Sequence, residues 1–222
     1  MIIIIKDYFK NIDTEDKAYW LGFLYADGCI SKDYKSLHLD IGIVDIGHIY
    51  KFAENIESNH KISIHGDNNQ FVRIVVTCKQ MCIDLINKGC IPNKSLILEF
   101  PNTSIVPKHL IYHFIRGYFD GDGCLSHSVG NRKRKDRDLN KLYHYDRWDL
   151  VFVGTKSMMD GIAYYMNINN KLYNKVENKN CYGLKCGGKM LVKEKMDMLY
   201  KDSTIYLDRK YNKYKELCFN CS

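Results

Sequence analysis

A twelve-residue element occurs twice in this chain, as "WLGFLYADGCIS" at 20–31 and "IRGYFDGDGCLS" at 115–126. Aligned without gaps, the copies share Gly, Asp, Gly, Cys and Ser, an aromatic after the first Gly, and a small residue before the Asp. Gly22 and Ala26 are four apart, as are Gly117 and Gly121. In a helix each pair lies on one face, where small residues let two backbones approach closely. Each copy therefore reads as a helix that ends at Asp-Gly, with the glycine able to take a left-handed conformation. Duplication further implies that the two helices pack on each other about a pseudo-two-fold axis.

The segments downstream of the two copies repeat as well. After Asp27, "SLHLDIGIVD" alternates as a strand and "IGHIYKFAENIE" reads as a helix. "KISIH" and "QFVRIVVTC" alternate as strands, and "KQMCIDLINKG" is helical. After Asp122 come the strand "RWDLVFVG", the helix "KSMMDGIAYYMNI", strands near "KLYNKV" and "CYGLKC", and the helix "MLVKEKMDMLYK". Asp45 and Thr155 stand at N-cap positions before the middle helices. All three prolines, Pro92, Pro101 and Pro107, precede the second motif helix and mark a linker. The expected architecture is α+β: two αββαββα units, 1–100 and 101–222, each an antiparallel four-stranded sheet with helices on one face. The second unit carries an insertion, "SVGNRKRKDRDLNKLYHYDR", in its first hairpin.

Helix packing would bring Asp27 and Asp122 together at two helix C-termini, where the dipole is also negative. Such a pair is unfavourable unless an acid is protonated or divalent cations sit between the carboxylates. Two acids, Mg²⁺ and a basic surface suit phosphodiester hydrolysis. Asp120 lies about 200° round the helix from Asp122 and is expected to stand apart from that site.

Both stretches resemble the LAGLIDADG motif, as "WLGFLYADG" and "IRGYFDGDG", and the whole chain resembles a single-chain homing endonuclease with two such motifs. The resemblance implies a saddle of two sheets in the DNA major groove and Mg²⁺-dependent cleavage of both strands. Two or three divalent ions would be shared between Asp27 and Asp122, with help from the carbonyls of Ala26 and Gly121. It further implies a polar residue that orders active-site water, at Asp45 and Thr155, although N-capping accounts for both equally. A basic residue is implied after the third helix of each unit: Lys94 in "IPNKS", and Lys210 in "YLDRKY" with Arg209 as rival. The first motif departs from the family pattern in having Tyr25 where an acid is common.

Base readout is expected from strand residues facing away from the core. With Leu37, Leu39, Ile41, Ile62 and Ile64 inward, the outward set is His38, Asp40, Ser63, His65 and Arg73. In the second unit it is Arg147, Asp149, Tyr173, Lys175 and Lys185. Arg132 and Arg134, in the basic insertion, are expected on phosphates.

Charge is divided unevenly. Before Pro107 there are 11 Lys/Arg against 13 Asp/Glu, net −2; from Pro107 onward there are 22 against 13, net +9. That bias fits a polyanion partner: double-stranded DNA, with a folded intron RNA as the alternative for a maturase on the same fold. Retention of both aspartates favours the nuclease. Two units in one chain predict a monomer. The nine cysteines read as reduced thiols rather than a zinc or disulfide framework. No stretch is long enough for a membrane span, and the chain reads as soluble and intracellular.

Overall fold

The computed structural model describes residues 2–133, 141–169, 171–175 and 179–221. The first motif helix, α1 (Glu15–Asp27), starts at Thr14, whose side chain accepts from Lys17 N, with Glu15 and Asp16 favourably placed in its first turn. Every residue from Ala18 to Tyr25 is buried, so this helix is enclosed on all sides. It runs directly into β1 (Gly28–Ile30), then β2 (Ser36–Gly42), α2 (Ile46–Asn55), β3 (Ile62–His65), β4 (Phe71–Thr77) and α3 (Lys79–Asn87). The second unit continues with α4 (Ile111–Asp122), β5 (Cys124–Arg132), β6 (Tyr143–Gly154), α5 (Lys156–Tyr165), β7 (Tyr173–Asn174), β8 (Tyr182–Gly187) and α6 (Lys189–Tyr200). The sheets are β1-β2-β4-β3 and β5-β6-β8-β7, antiparallel throughout. The two-unit α+β architecture is thus the one the repeat predicts.

Two differences arise from tertiary context. A last helix, α7 (Asp208–Asn220), was not expected; Tyr211, Tyr214, Leu217 and Cys218 give it a helical apolar spacing, and Tyr214 and Leu217 are buried. Ile64 faces inward by register, opposite the buried Val72, yet is 51% exposed. It sits on the edge strand of its sheet, where one flank has no neighbouring strand among the described residues. No helix among the described residues is long and apolar enough to cross a membrane.

The units meet where α1 crosses α4. A Cβ on Gly22 would lie 2.0 Å from Phe114 O, and one on Gly117 would lie 1.9 Å from Tyr19 O. Each glycine therefore faces the other helix's backbone, and the two contacts are reciprocal. Arg116, fully buried, ties the seam together: its guanidinium donates to the carbonyls of Ile205 and Leu199 at 2.9 Å and to Glu15 at 2.6 Å. Because backbone cannot move aside as a side chain can, Gly22→Ala or Gly117→Ala should cost about 3 kcal/mol or more in urea unfolding. Gly47→Ala, a helix position with nothing within 4 Å of an added Cβ, should be neutral or stabilising by up to about 1 kcal/mol.

Candidate active site

The crossing helices end side by side. A Cβ on Gly121 would lie 3.1 Å from Asp27 Oδ2 and 2.3 Å from the Ala26 Cβ, so the Asp27 carboxylate reaches against the opposite motif. The residues after the acids, Gly28 and Gly123, are not left-handed; φ is −72° and −89°, and both are extended. Glycine is needed there for a different reason. An added Cβ would lie 2.7 Å from Leu24 O in one case and 2.6 Å from Phe119 O in the other, because the chain turns sharply from helix into strand.

A buried lysine meets each of these turns. Lys94 Nζ donates to Gly28 O. Lys210 Nζ donates to Gly123 O at 2.7 Å and to Phe119 O. Lys210, not Arg209, is therefore the counterpart of Lys94. Loss of hydration in the seam, then repulsion from Asp122, pushes the Asp27 carboxyl up to about 6, against the pull of Lys210 and Lys94. Asp122 is raised by desolvation and drawn back by Lys94 and Lys210. The larger cationic pull on Asp27 is from Lys210, and that on Asp122 is from Lys94. Each lysine thus holds its own unit's turn while its charge reaches both acids. Burial lowers Lys210 to about 8, opposed by the Asp120 carboxylate.

Asp45 and Thr155 part company. Asp45 makes no side-chain cap; its carboxylate takes the Arg209 guanidinium, at 2.9 Å from Nη2, and lines a cavity of about 420 Å³ with Asp27 and Arg209. Thr155 is a true N-cap, its buried hydroxyl accepting from Met158 N at 3.2 Å and donating to Leu98 O at 2.5 Å. Nor are the two equivalent. Cys29 pairs with His38 and Cys124 with Val151, and Thr155 stands four residues beyond that pairing, where the first unit has Gly42. Asp120 is closer to the site than its helical angle implied: it lines the Asp27 cavity from the buried side and accepts from Tyr19, Tyr200 and Leu207 N. Sequence reasoning missed this cluster. Its one signal was an acid on an otherwise buried helix face, beside a chain rich in tyrosine.

Most of the residues expected to read bases lie on the outward faces of the two sheets. In the first unit, Asp40 binds Arg73 (2.8 Å to Nε) and His65 (3.0 Å), with Ser63 directly paired to Arg73; His38 lies on the same face beside Ser36. In the second, Asp149 binds Arg147 (2.9 Å) and Lys185 (3.0 Å). Tyr173 packs across Gly183, and Lys175 is exposed beyond it. Arg132 ends β5 with its guanidinium over the Tyr145 ring. Arg134 lies outside the described residues.

Solved structures share this arrangement of crossed helices and paired sheets. The meganuclease I-SmaMI bound to uncleavable DNA aligns with a TM-score of 0.63 at 10% identity, over 90% of this chain and 88% of that one. I-LtrWI, a LAGLIDADG homing endonuclease bound to target DNA, aligns at 0.62 and 10% identity over 95% and 89%. The LAGLIDADG meganuclease I-AabMI bound to uncleaved DNA gives 0.59 and 15% over 90% and 88%. This is the LAGLIDADG meganuclease fold. No protein-family model and no curated protein matches the sequence.

Among the described residues no group of three or more His, Cys, Asp or Glu is arranged to hold a metal. The paired carboxylates are oxygen donors held together against their own repulsion, which fits a hard divalent cation that takes its remaining ligands from water and phosphate. The raised Asp27 gives a pH test. Its carboxyl binds protons more tightly when folded than when unfolded, so its contribution to stability is fully present below about 4 and lost as pH rises through about 6. In metal-free urea unfolding, the wild type should gain about 1 kcal/mol relative to Asp27→Asn between pH 7 and pH 5.

Proposed function

We propose that the protein is a site-specific DNA endonuclease that hydrolyses both strands of a long, non-palindromic target in the presence of Mg²⁺. One observation carries this reading: two carboxylates from separate helices meet at the seam of two sheets, each beside a turn held by a buried lysine. The DNA-bound solved structures with this fold support it at the level of architecture. Asp27 and Asp122, with the Ala26 and Gly121 carbonyls, would hold the ions, and bound there these would supply Lewis-acid stabilisation of charge at the phosphate.

The chain's own residues do the rest. Lys94 and Lys210 hold the turns after the acids and keep positive charge at the seam, where an approaching phosphodiester gathers negative charge. Lys210, lowered to about 8, can hold or give up its proton at Nζ near neutral pH. Asp45 and Arg209 close one side of the Asp27 cavity. The outward residues of the two sheets differ, so the half-sites need not match, and a monomer presents both. Strand side chains in a major groove can distinguish all four base pairs.

Asp27→Asn and Asp122→Asn should each abolish double-strand cleavage of a target-bearing plasmid in Mg²⁺ while leaving duplex affinity within about tenfold of wild type. Wild-type cutting by either variant would remove the proposed roles. Arg132 and Lys133, at the tip-ward end of β5, should contact phosphates. Replacing both with Ser should reduce the slope of log K against log salt by about 0.9 for each phosphate released, equally on all sequences. Unchanged slopes would show that these residues only face solvent.

A further inference from the structure

Asp120 is 1% exposed and is used by nothing in the proposed chemistry. Its carboxylate accepts from the Tyr19 hydroxyl at 2.6 Å, from the Tyr200 hydroxyl, and from Leu207 N at 2.8 Å. The third contact is the informative one. Leu207 is the N-cap of α7, makes no side-chain cap, and its carbonyl accepts from Lys210 N and Tyr211 N at 3.0 Å. The residue whose N–H is gripped by Asp120 is therefore the residue from which the first turn of α7 is built. That turn carries Lys210, whose Nζ returns to Phe119 O and Gly123 O, on either side of Asp120 in α4.

Asp120 and Lys210 thus stitch the same end of α4 to the same turn of α7 from opposite directions. Two further ion pairs fasten that turn to the first unit, Lys51–Asp208 at 2.6 Å and Arg209–Asp45 at 2.9 Å. These are exposed or partly so, and pairs of that kind contribute little. The contact to Leu207 N, buried away from water, is the strong one.

The first unit has Tyr25 at the matching motif position. Its hydroxyl donates to Lys88 O, at the end of α3 and at the start of the segment that leads to Lys94. The residue two before the motif aspartate reaches the lysine-bearing segment in both units, by acceptor in one and donor in the other.

We propose that Asp120 is a positioning residue for Lys210, acting through the Leu207 amide to set the first turn of α7 against the motif. This rests on the reading of Lys210 as a residue that serves cleavage. The test uses full-length Asp120→Ala, Asp120→Asn and Lys210→Met, with each strand of a selected target duplex end-labelled separately. A general loss of stability slows both strands together. A positioning role slows one strand, the same one that Lys210→Met slows, by about tenfold or more in Asp120→Ala with duplex affinity within about threefold of wild type. Asp120→Asn retains an acceptor for Leu207 N and should show the same strand bias at reduced size. Equal slowing of both strands in Asp120→Ala, or an Ala variant that cuts both strands as wild type does, would overturn the proposal.

A second readout does not depend on nuclease activity. In native protein treated with acetic anhydride and mapped by mass spectrometry, Lys210 and Lys94 should both be protected in wild type. Asp120→Ala, or Asp120→Leu if the Ala variant does not fold, should expose Lys210 and leave Lys94 protected. Continued protection of Lys210 would refute the positioning role. If wild type cuts no DNA but Lys210 becomes reactive in these variants, the function reading fails and the positioning stands.

Discussion

Two glycines pressed into the opposite helix's backbone set the rest of this molecule. Because Gly22 meets Phe114 O and Gly117 meets Tyr19 O, α1 and α4 have no room to slide or to take a larger side chain between them. The helix ends are fixed relative to each other, and with them Asp27, Asp122 and the first residues of β1 and β5. Each sheet grows from one of those ends, so the same contact that places the acids also places the two outward faces. An apolar seam of larger side chains could have held two units together; it could not have brought two helix ends this close.

That closeness is electrostatically unfavourable, and the chain compensates from a distance in sequence. Lys94 lies beyond α3 and Lys210 lies in α7, yet both arrive at the turn after a motif aspartate. Neither acid has a direct ion pair with them. The lysines hold carbonyls instead, leaving the carboxylate oxygens free and Asp27 raised to about 6. A site built for stability alone would have paired the charges. Acids held this way beside buried lysines are the arrangement on which the proposed cation and phosphate site rests.

The units share an element order but not a surface. The first sheet's outward charges largely cancel in the Asp40–Arg73–His65 cluster, whereas the second sets Arg147 and Lys185 against Asp149 and adds Lys175 and Arg132 further along. The second also extends further, since β5 and β6 run to Arg132 and Tyr143 while β1 and β2 stop at Ile30 and Ser36. An asymmetric surface on a symmetric frame matches a ligand whose halves differ.

The sequence by itself determined the frame. Small residues four apart, written twice and each ending in Asp-Gly, specify close-packed helices with acids at their ends. Period-two alternation then fixed which strand residues face outward, since the pleat leaves no choice. Such signals are local, and local patterns survive in one dimension. The features that depended on distant partners were decided only in three dimensions. Thr155 became a buried cap because Leu98 accepts its hydroxyl, and Asp45 lost its capping role to Arg209. Ile64, inward by register, was left exposed by its place on an edge strand. The choice between Lys210 and Arg209, adjacent and both basic, turned on the rotation of α7, and that rotation is held by Asp120 through the Leu207 amide. A carboxylate 87 residues away leaves no periodic trace, so its role becomes legible only once the chain has closed on itself.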